Sequence, residues 1–253
     1  MKKYQTVFLF ALITATFAPK AQAQNLQFHY DLGHTLQPEY LSERPSVTTT
    51  FELFKPDAWG STFLFIDLDY YSNGMGGAYW EIAREFNITK NKQFAAHVEY
   101  DGGLSNSKHL QNNTRFQQAA LAGLAWNWHS ADFQRTFSVQ ALYKQYFKGE
   151  QPWQKAFAGF QLTEVWGLNF ANGLCTFSGF CDLWFDKNVN GKLILLSEPQ
   201  FWFNLKNLAP FKEKSSFPSI GTEVEISNNF VFPAKGQNNR LFVIPTLAFK
   251  WNF

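Results

Sequence analysis

Carboxylate side chains recur two residues apart along the chain, a spacing that places both on one face of a β-strand. Asp67 and Asp69 form one such pair, and Glu223 and Glu225 form another. Carboxylates on one face can accept hydrogen bonds from hydroxyl groups, attract cations or exchange protons. Catalysis would also require an activated nucleophile, and the sequence has no G-x-S-x-G motif and no evident Ser–His pairing. The pattern therefore favours binding over an enzymatic activity.

Aromatic rings share strand faces with these carboxylates. Phe63 and Phe65 have the same parity as Asp67, and flat rings of this kind can stack on a ring of a bound solute. Alternation assigns the following candidate binding residues to the polar face: Asp67, Asp69, Glu81, Glu99, Asp182, Trp184, Glu198, Gln200 and Glu223. The alternative for each is a structural role, in which the residue only fills the interior and pairs with a neighbour.

Metal ligands are sparse in the sequence. His97 and Glu99 share a face, but the sequence places no third ligand beside them. We therefore predict neither a metal site nor a cofactor.

About twelve segments alternate between apolar and polar residues with a period of two, and no helical stripe of useful length competes with them. They start near residues 25, 46, 61, 78, 94, 116, 133, 156, 175, 192, 219 and 241. The segment near residue 61 is typical, with Leu64, Ile66 and Leu68 on one face and Asp67 and Asp69 on the other. The sequence therefore predicts an all-β domain.

The first 23 residues have the features of a cleaved secretory signal peptide: Lys2 and Lys3, a short apolar run, and Ala21-Gln22-Ala23 as a cleavage site;. Its removal leaves 19 Lys and Arg against 20 Asp and Glu. This balance argues against a nucleic-acid partner. Residues 24–253 would then form a single domain.

The two cysteines, Cys175 and Cys181, lie in one predicted strand. Six residues of strand span roughly 20 Å, whereas a disulfide needs Cα atoms within about 7 Å. We therefore expect both thiols to be free.

Soluble sandwiches and membrane barrels both alternate, so connection lengths and aromatic positions have to decide between them. Predicted outer connections include long segments such as 33–45, 101–115 and 228–240, whereas most predicted inner turns are short, with 205–218 as the exception;. Several aromatics lie near segment ends on apolar faces, as in membrane-interface girdles: Trp80, Trp126, Trp128, Tyr143, Trp166 and Trp251;. A last strand ending in Phe253 resembles the C-terminal signature of outer-membrane barrels. These features predict a transmembrane antiparallel β-barrel of about 12 strands with both termini periplasmic.

Four positions conflict with this pattern. Arg84 and Glu164 fall on the lipid-facing parity, where a charge near the midplane is unfavourable. Pro199 and Pro245 each remove a backbone donor within a strand. A rim position, a bulge or a shifted register could resolve each conflict.

Short motifs resemble the nucleoside-specific, Tsx-type channel-forming outer-membrane proteins. They are the run Phe177–Trp184, the tripeptide Glu198-Pro199-Gln200, and Ala78–Ile82 followed by Arg84. The resemblance implies a monomeric twelve-stranded barrel whose narrow lumen admits nucleosides. It also implies that base and ribose are contacted by Glu81, Arg84, Asp182, Trp184, Glu198 and Gln200.

We therefore expect an outer-membrane channel of a Gram-negative bacterium for passive diffusion of small solutes, with nucleosides as the favoured class. The alternatives are a structural or adhesive barrel without a conducting pore and, less favoured, a lipid-modifying barrel enzyme. Expected partners are outer-membrane lipid, a nucleoside-like solute and the barrel assembly machinery, which would recognise Phe253.

Overall fold

The computed structural model describes residues 23–105, 116–149, 152, 154–187, 192–212, 214–231 and 239–253. Apart from Ala23, the predicted signal peptide lies outside the described residues, and its cleavage stays a prediction. Parts of the predicted outer connections 101–115 and 228–240 also lie outside them. The same holds for two shorter outer connections that the alternation predicts, 147–154 and 187–191.

Antiparallel strands make up most of the described chain, in agreement with its alternating sequence. The strands are β1 (Ala23–Asp31), β2 (Val47–Pro56), β3 (Gly60–Tyr71), β4 (Gly74–Asn87), β5 (Phe94–Ser105), β6 (Ala119–His129), β7 (Arg135–Tyr146), β8 (Phe157–Phe170), β9 (Cys175–Asp186), β10 (Lys192–Ser197), β11 (Gln200–Asn204), β12 (Phe217–Asn228) and β13 (Leu241–Asn252). Two short helices follow β1, α1 (Gly33–Leu36) and α2 (Pro38–Leu41), and a 3-10 turn (Leu205–Asn207) follows β11.

The strands close into a barrel because the first pairs with the last. Asn25 of β1 lies opposite Asn252 of β13, and from β1 to β9 each strand pairs with the next one in sequence. β10 and β11 both lie between β9 and β12 and keep one register with β12, since Ser197 pairs with Ile226 and Gln200 with Glu223. They are two halves of one strand, which confirms the predicted twelve-stranded antiparallel barrel.

Pro199 explains the interruption between these halves, because it cannot donate a hydrogen bond to the ladder. Gly179 of β9 lies beside the gap with a φ of +154°. A Cβ at this position would lie 2.5 Å from the carbonyl oxygen of Glu198. Glycine therefore permits the close approach of the two strands at the break.

The second proline behaves differently. Pro245 stays within β13 and keeps its register opposite Val224. Nearby, the Thr246 hydroxyl accepts a hydrogen bond from the backbone N–H of Glu223 at 3.1 Å. A side chain thus supplements the ladder next to the proline.

The two faces of the barrel differ in chemistry. Buried polar residues alternate with exposed apolar ones, so that in β1 Gln27 and His29 point inward while Phe28 and Tyr30 point outward. The outer face carries exposed side chains such as Phe160 and Leu247, which suits contact with lipid chains. No described helix has the length and apolarity to cross a membrane.

Several of the predicted aromatic side chains occupy the ends of the outer face, whereas Trp80 lies in the middle of β4. Trp126 and Trp128 lie at the end of β6 that leads into a short turn, and Trp251 lies at the same end of β13. Tyr143 lies near the opposite end of β7. This apolar belt with aromatic rims places the barrel in the outer membrane.

Glu164 lies on the outer face in the middle of β8, between Val139 of β7 and Cys181 of β9. The expected conflict with lipid is therefore present in the structure. Cys175 and Cys181 are both free, as predicted from their places in one strand.

Candidate functional site: the acidic lumen

The inner face of the barrel carries the predicted binding residues. Asp67 and Asp69 of β3 accept hydrogen bonds from the hydroxyl groups of Thr50 and Thr48 on β2, the latter at 2.7 Å. The carboxylate of Glu223 accepts a hydrogen bond of 2.6 Å from the Gln200 amide on the neighbouring strand. Neighbouring strands thus orient these side chains.

The inner wall formed by β4 to β9 holds a second set of polar side chains. Asp182 accepts a hydrogen bond from Thr163, whose oxygen in turn accepts one of 3.0 Å from Gln161. The Lys144 ammonium donates to Gln161 at 2.8 Å and forms an ion pair of 2.8 Å with Asp101. This chain of contacts crosses β5, β7, β8 and β9 and fixes the wall.

Three carboxylates converge on this wall: Glu81, Glu99 and Asp101, here called the carboxylate cluster. One ligand oxygen from each lies within 4.8 Å of the other two. Glu81 is opposite Asp101 across β4 and β5. Like charges this close attract a cation or a proton.

Aromatic side chains line the same interior. The Trp184 ring lies 5.4 Å from the Lys144 ammonium, and its indole N–H is buried without a hydrogen-bond partner. Phe65 packs against Phe63 and Tyr79, with ring centroids 5.9 and 5.8 Å apart. The lumen therefore offers aromatic ring faces beside its carboxylates.

Arg84 is the exception among the predicted binding residues. It shares the outer face with Thr62 of β3 and Val98 of β5. Its guanidinium forms an ion pair of 2.7 Å with Asp57 in the β2–β3 turn. This hydrogen-bonded contact holds the pKa of the Asp57 carboxyl well below its usual range. The structure thus removes Arg84 from the lumen set and resolves its conflict with lipid at the rim.

One mouth of the barrel is partly covered by residues 32–46, here called the mouth loop. Leu41 of α2 is completely buried against Phe242 and Ile244, which face inward from β13. Arg44 forms ion pairs of 2.9 Å with Asp31 and 2.8 Å with Glu225. Burial opposes the charge of Arg44, but the two carboxylates outweigh it and raise the pKa of the guanidinium above its ordinary value.

The opposite half of the lumen is filled around Trp202. This side chain is completely buried, and its indole N–H donates a 2.8 Å hydrogen bond to Gln200. The Lys250 ammonium lies 4.0 Å from the ring centroid, and the His29 ring meets it edge-on at 6.0 Å. Together these side chains narrow the passage at the end that holds both termini.

Sequence reasoning missed two residues of the site. The alternation of His97, Glu99 and Asp101 places Asp101 on the polar face, but the predicted outer connection 101–115 also begins there, and Asp101 is not among the predicted binding residues. The structure places it within β5, where it completes the carboxylate cluster. Arg44 was assigned to a loop, and the sequence contained no signal that it reaches two lumen carboxylates.

Comparison with known proteins yields a family and a fold. The family model described as a domain of unknown function, DUF5020, matches residues 23–253. No curated protein matches the chain. Among solved structures, the NanC porin in a rhombohedral crystal form is 11% identical and covers 91% of this chain and 99% of its own, with a TM-score of 0.54. The KdgM porin is 12% identical over the same shares with a TM-score of 0.48. A KdgM porin in complex with disordered oligogalacturonate is 11% identical over those shares, with a TM-score of 0.47.

Proposed function

Because the chain belongs to the DUF5020 family, a domain of unknown function, we propose its function from its own lumen: an outer-membrane channel for passive diffusion of small solutes. The porin-like barrel supports passive diffusion of small solutes as the general activity. The lumen chemistry supports a preference for neutral or cationic solutes, with nucleosides as the favoured class.

The observation that carries this proposal is the excess of acidic side chains over basic ones in the described lumen. The acidic residues are Asp31, Glu52, Asp67, Asp69, Glu81, Glu85, Glu99, Asp101, Asp182, Asp186, Glu198, Glu223 and Glu225. The basic side chains that oppose them in the described lumen are fewer: Arg44, Lys144, Lys250 and, at the mouth, Arg240, whose guanidinium lies 5.4 Å from the ring of the inward-facing Phe242. A ring or wall of carboxylates favours cations and disfavours anions in a pore.

Nucleosides fit the polar and aromatic groups of this wall. A base could stack on Trp184 or Phe65, as bases do on exposed aromatic rings. Ribose hydroxyl groups could donate to Asp182 or to Asp67. The resemblance to Tsx-type channels supports the same assignment for Asp182 and Trp184.

The charge of the lumen also suggests a negative control. The KdgM porin has been solved in complex with oligogalacturonate, whose repeated carboxylates make it a polyanion. We expect an acidic lumen to repel such a solute. An anionic oligosaccharide should therefore neither block nor cross this channel.

The test is single-channel recording of the refolded protein in a planar bilayer. A KCl gradient should give a reversal potential of the sign for cation preference. Adenosine should block the current at concentrations where glucose and oligogalacturonate do not. A preference for anions, or equal responses to all three solutes, would contradict the proposal.

Variants of one strand make the solute assignment specific. Trp184→Ala should weaken adenosine block by about five- to 150-fold, since stacking contributes roughly 1–3 kcal/mol per base. Trp184→Phe keeps a ring and removes only the N–H, so its loss should be smaller. Leu183→Ala changes the outer face of the same strand and should leave the block unchanged.

A structural barrel without a conducting pore is the second candidate. It is favoured by the complete burial of Trp202 and Ser219 inside the barrel and by the mouth loop at the other end. A folded barrel that gives no conductance would establish this alternative. In either case, recognition of Phe253 by the barrel assembly machinery and a monomeric state of the protein remain predictions.

A further inference from the structure

We propose that the carboxylate cluster of Glu81, Glu99 and Asp101 binds a divalent cation, with Ca²⁺ as the best-fitting ion. This inference builds on the proposed channel, because the ion has to reach the lumen from water. A pore can prefer cations without binding any of them at a fixed position, so the proposed site is an additional feature of the lumen.

The first support is that one oxygen of each carboxylate in the cluster contacts a neighbouring side chain, which orients the group. Tyr79 donates a 2.7 Å hydrogen bond to Oε1 of Glu81. His97 lies 3.0 Å from Oε2 of Glu99, and Lys144 lies 2.8 Å from Oδ2 of Asp101. Supporting contacts of this kind orient the ligands of metal sites. The cluster is therefore positioned before any ion arrives.

The second support is an unused oxygen. Asp101 is only 4% exposed, and its Oδ1 atom is buried without a hydrogen-bond partner. A buried carboxylate oxygen without a donor is costly. A cation coordinated by this oxygen, together with oxygens of Glu81 and Glu99, would remove that cost.

The spacing suits calcium. The three ligand oxygens lie within 4.8 Å of one another. Oxygens bound to one Ca²⁺ lie no more than about 4.6–5.2 Å apart, because Ca²⁺–oxygen distances are about 2.3–2.6 Å. One ion can therefore contact all three carboxylates. Ca²⁺ is favoured over Mg²⁺ because it accepts irregular carboxylate geometry, whereas Mg²⁺ requires near-octahedral geometry and loses its water reluctantly.

The charge balance also suits a divalent ion. The Lys144 ammonium and the His97 imidazole both contact carboxylates of the cluster. Asp182 faces the same part of the wall and Glu85 also contacts His97, so five carboxylates surround these two basic groups and negative charge is in excess. A doubly charged cation would compensate more of it than a monovalent one.

Calcium titration of the folded full-length barrel in detergent, followed by isothermal calorimetry, tests the inference without requiring conduction. We expect saturable binding of one Ca²⁺ with a weaker response to Mg²⁺. Glu81→Gln should lower the affinity at least about tenfold, the scale of losses when a metal site is disturbed. Glu99→Gln provides a second variant, and retained mobility on unheated gels confirms that each variant is folded.

Asp69→Asn is the matched control, because it removes one carboxylate from the lumen outside the cluster. We expect it to change Ca²⁺ affinity by less than about threefold, as a distant charge does when screened by salt. Absence of saturable binding to the wild-type barrel would overturn the inference. Equal losses in Glu81→Gln and Asp69→Asn would overturn it too, since they would indicate diffuse attraction.

The proposal of Ca²⁺ binding and the proposal of a channel can be refuted independently. Site-specific Ca²⁺ binding by a barrel that conducts no ions would support the cation site and refute the channel. A conducting barrel without Ca²⁺ binding would refute the cation site alone.

Discussion

Arg44→Gln should release the mouth loop and widen the entrance of the barrel. Arg44 is the residue through which this loop forms ion pairs with two strands, at 2.9 Å to Asp31 and 2.8 Å to Glu225. Removing one partner of a buried ion pair costs about 3–5 kcal/mol. Because 24% of the Arg44 side chain is exposed, we expect a smaller effect than for a fully buried pair. The free energy of loop docking should fall by roughly 2–3 kcal/mol.

This free energy corresponds to a shift of about thirty- to 150-fold towards the undocked loop. Undocking would leave the two carboxylates without their counter-ion. The variant should therefore show larger single-channel conductance and a reversal potential shifted further towards cation preference. Faster hydrogen exchange at the Leu41 amide, which donates to the Gln37 carbonyl at 3.0 Å, should accompany both changes.

Glu43→Gln is the control, because Glu43 is an exposed neighbour in the same loop. Its conductance and exchange rates should match those of the wild type. If Arg44→Gln left conductance, reversal potential and Leu41 exchange unchanged, the ion pairs would not hold the loop and the reasoning would be refuted.

Three other perturbations test separate parts of the barrel. Trp202→Ala should raise single-channel conductance and lower the free energy of unfolding by about 3–5 kcal/mol, because it empties a filled part of the lumen; unchanged conductance would show that the constriction lies elsewhere. Nuclear magnetic resonance titration should show the pKa of Asp57 below the ordinary value near 3.9, and Arg84→Gln should raise it. Because the folded pKa is lowered, this ion pair stabilises the fold above pH ~4 and the contribution disappears as the pH falls through the folded pKa; an unchanged pKa in the variant would refute the pairing. Glu164→Leu should raise the free energy of unfolding in urea by about 1–2 kcal/mol, since it removes a lipid-facing acid; a decrease would indicate that Glu164 binds another molecule in the membrane.

Alternation alone identified most strands and their inner faces. The predicted start near residue 94 coincides with that of β5, and Asp67 lies on the inner face as its parity indicated. This works because the two faces of a strand alternate residue by residue, and because lipid and lumen demand opposite chemistry. Pro199 likewise marked the break between β10 and β11, since the missing donor is a local property.

The motif resemblance and the parity of Arg84 disagreed, and parity was right. A short motif contains no information about which side of the wall each letter occupies, whereas the alternation of Trp80, Ile82 and Arg84 does. The ion pair with Asp57 depends on the position of a turn 27 residues earlier in the chain, and the sequence could not establish that contact.

The sequence was sufficient to determine a barrel with an acidic interior, because hydrophobic periodicity and charge are properties of each segment separately. The tertiary structure decided which acids meet. Glu81 and Asp101 converge only through the register of β4 and β5, and Lys144 reaches Asp101 from β7. The docking of Leu41 and the reach of Arg44 also depend on where distant strands pass, because register and loop packing arise from contacts far apart in the chain.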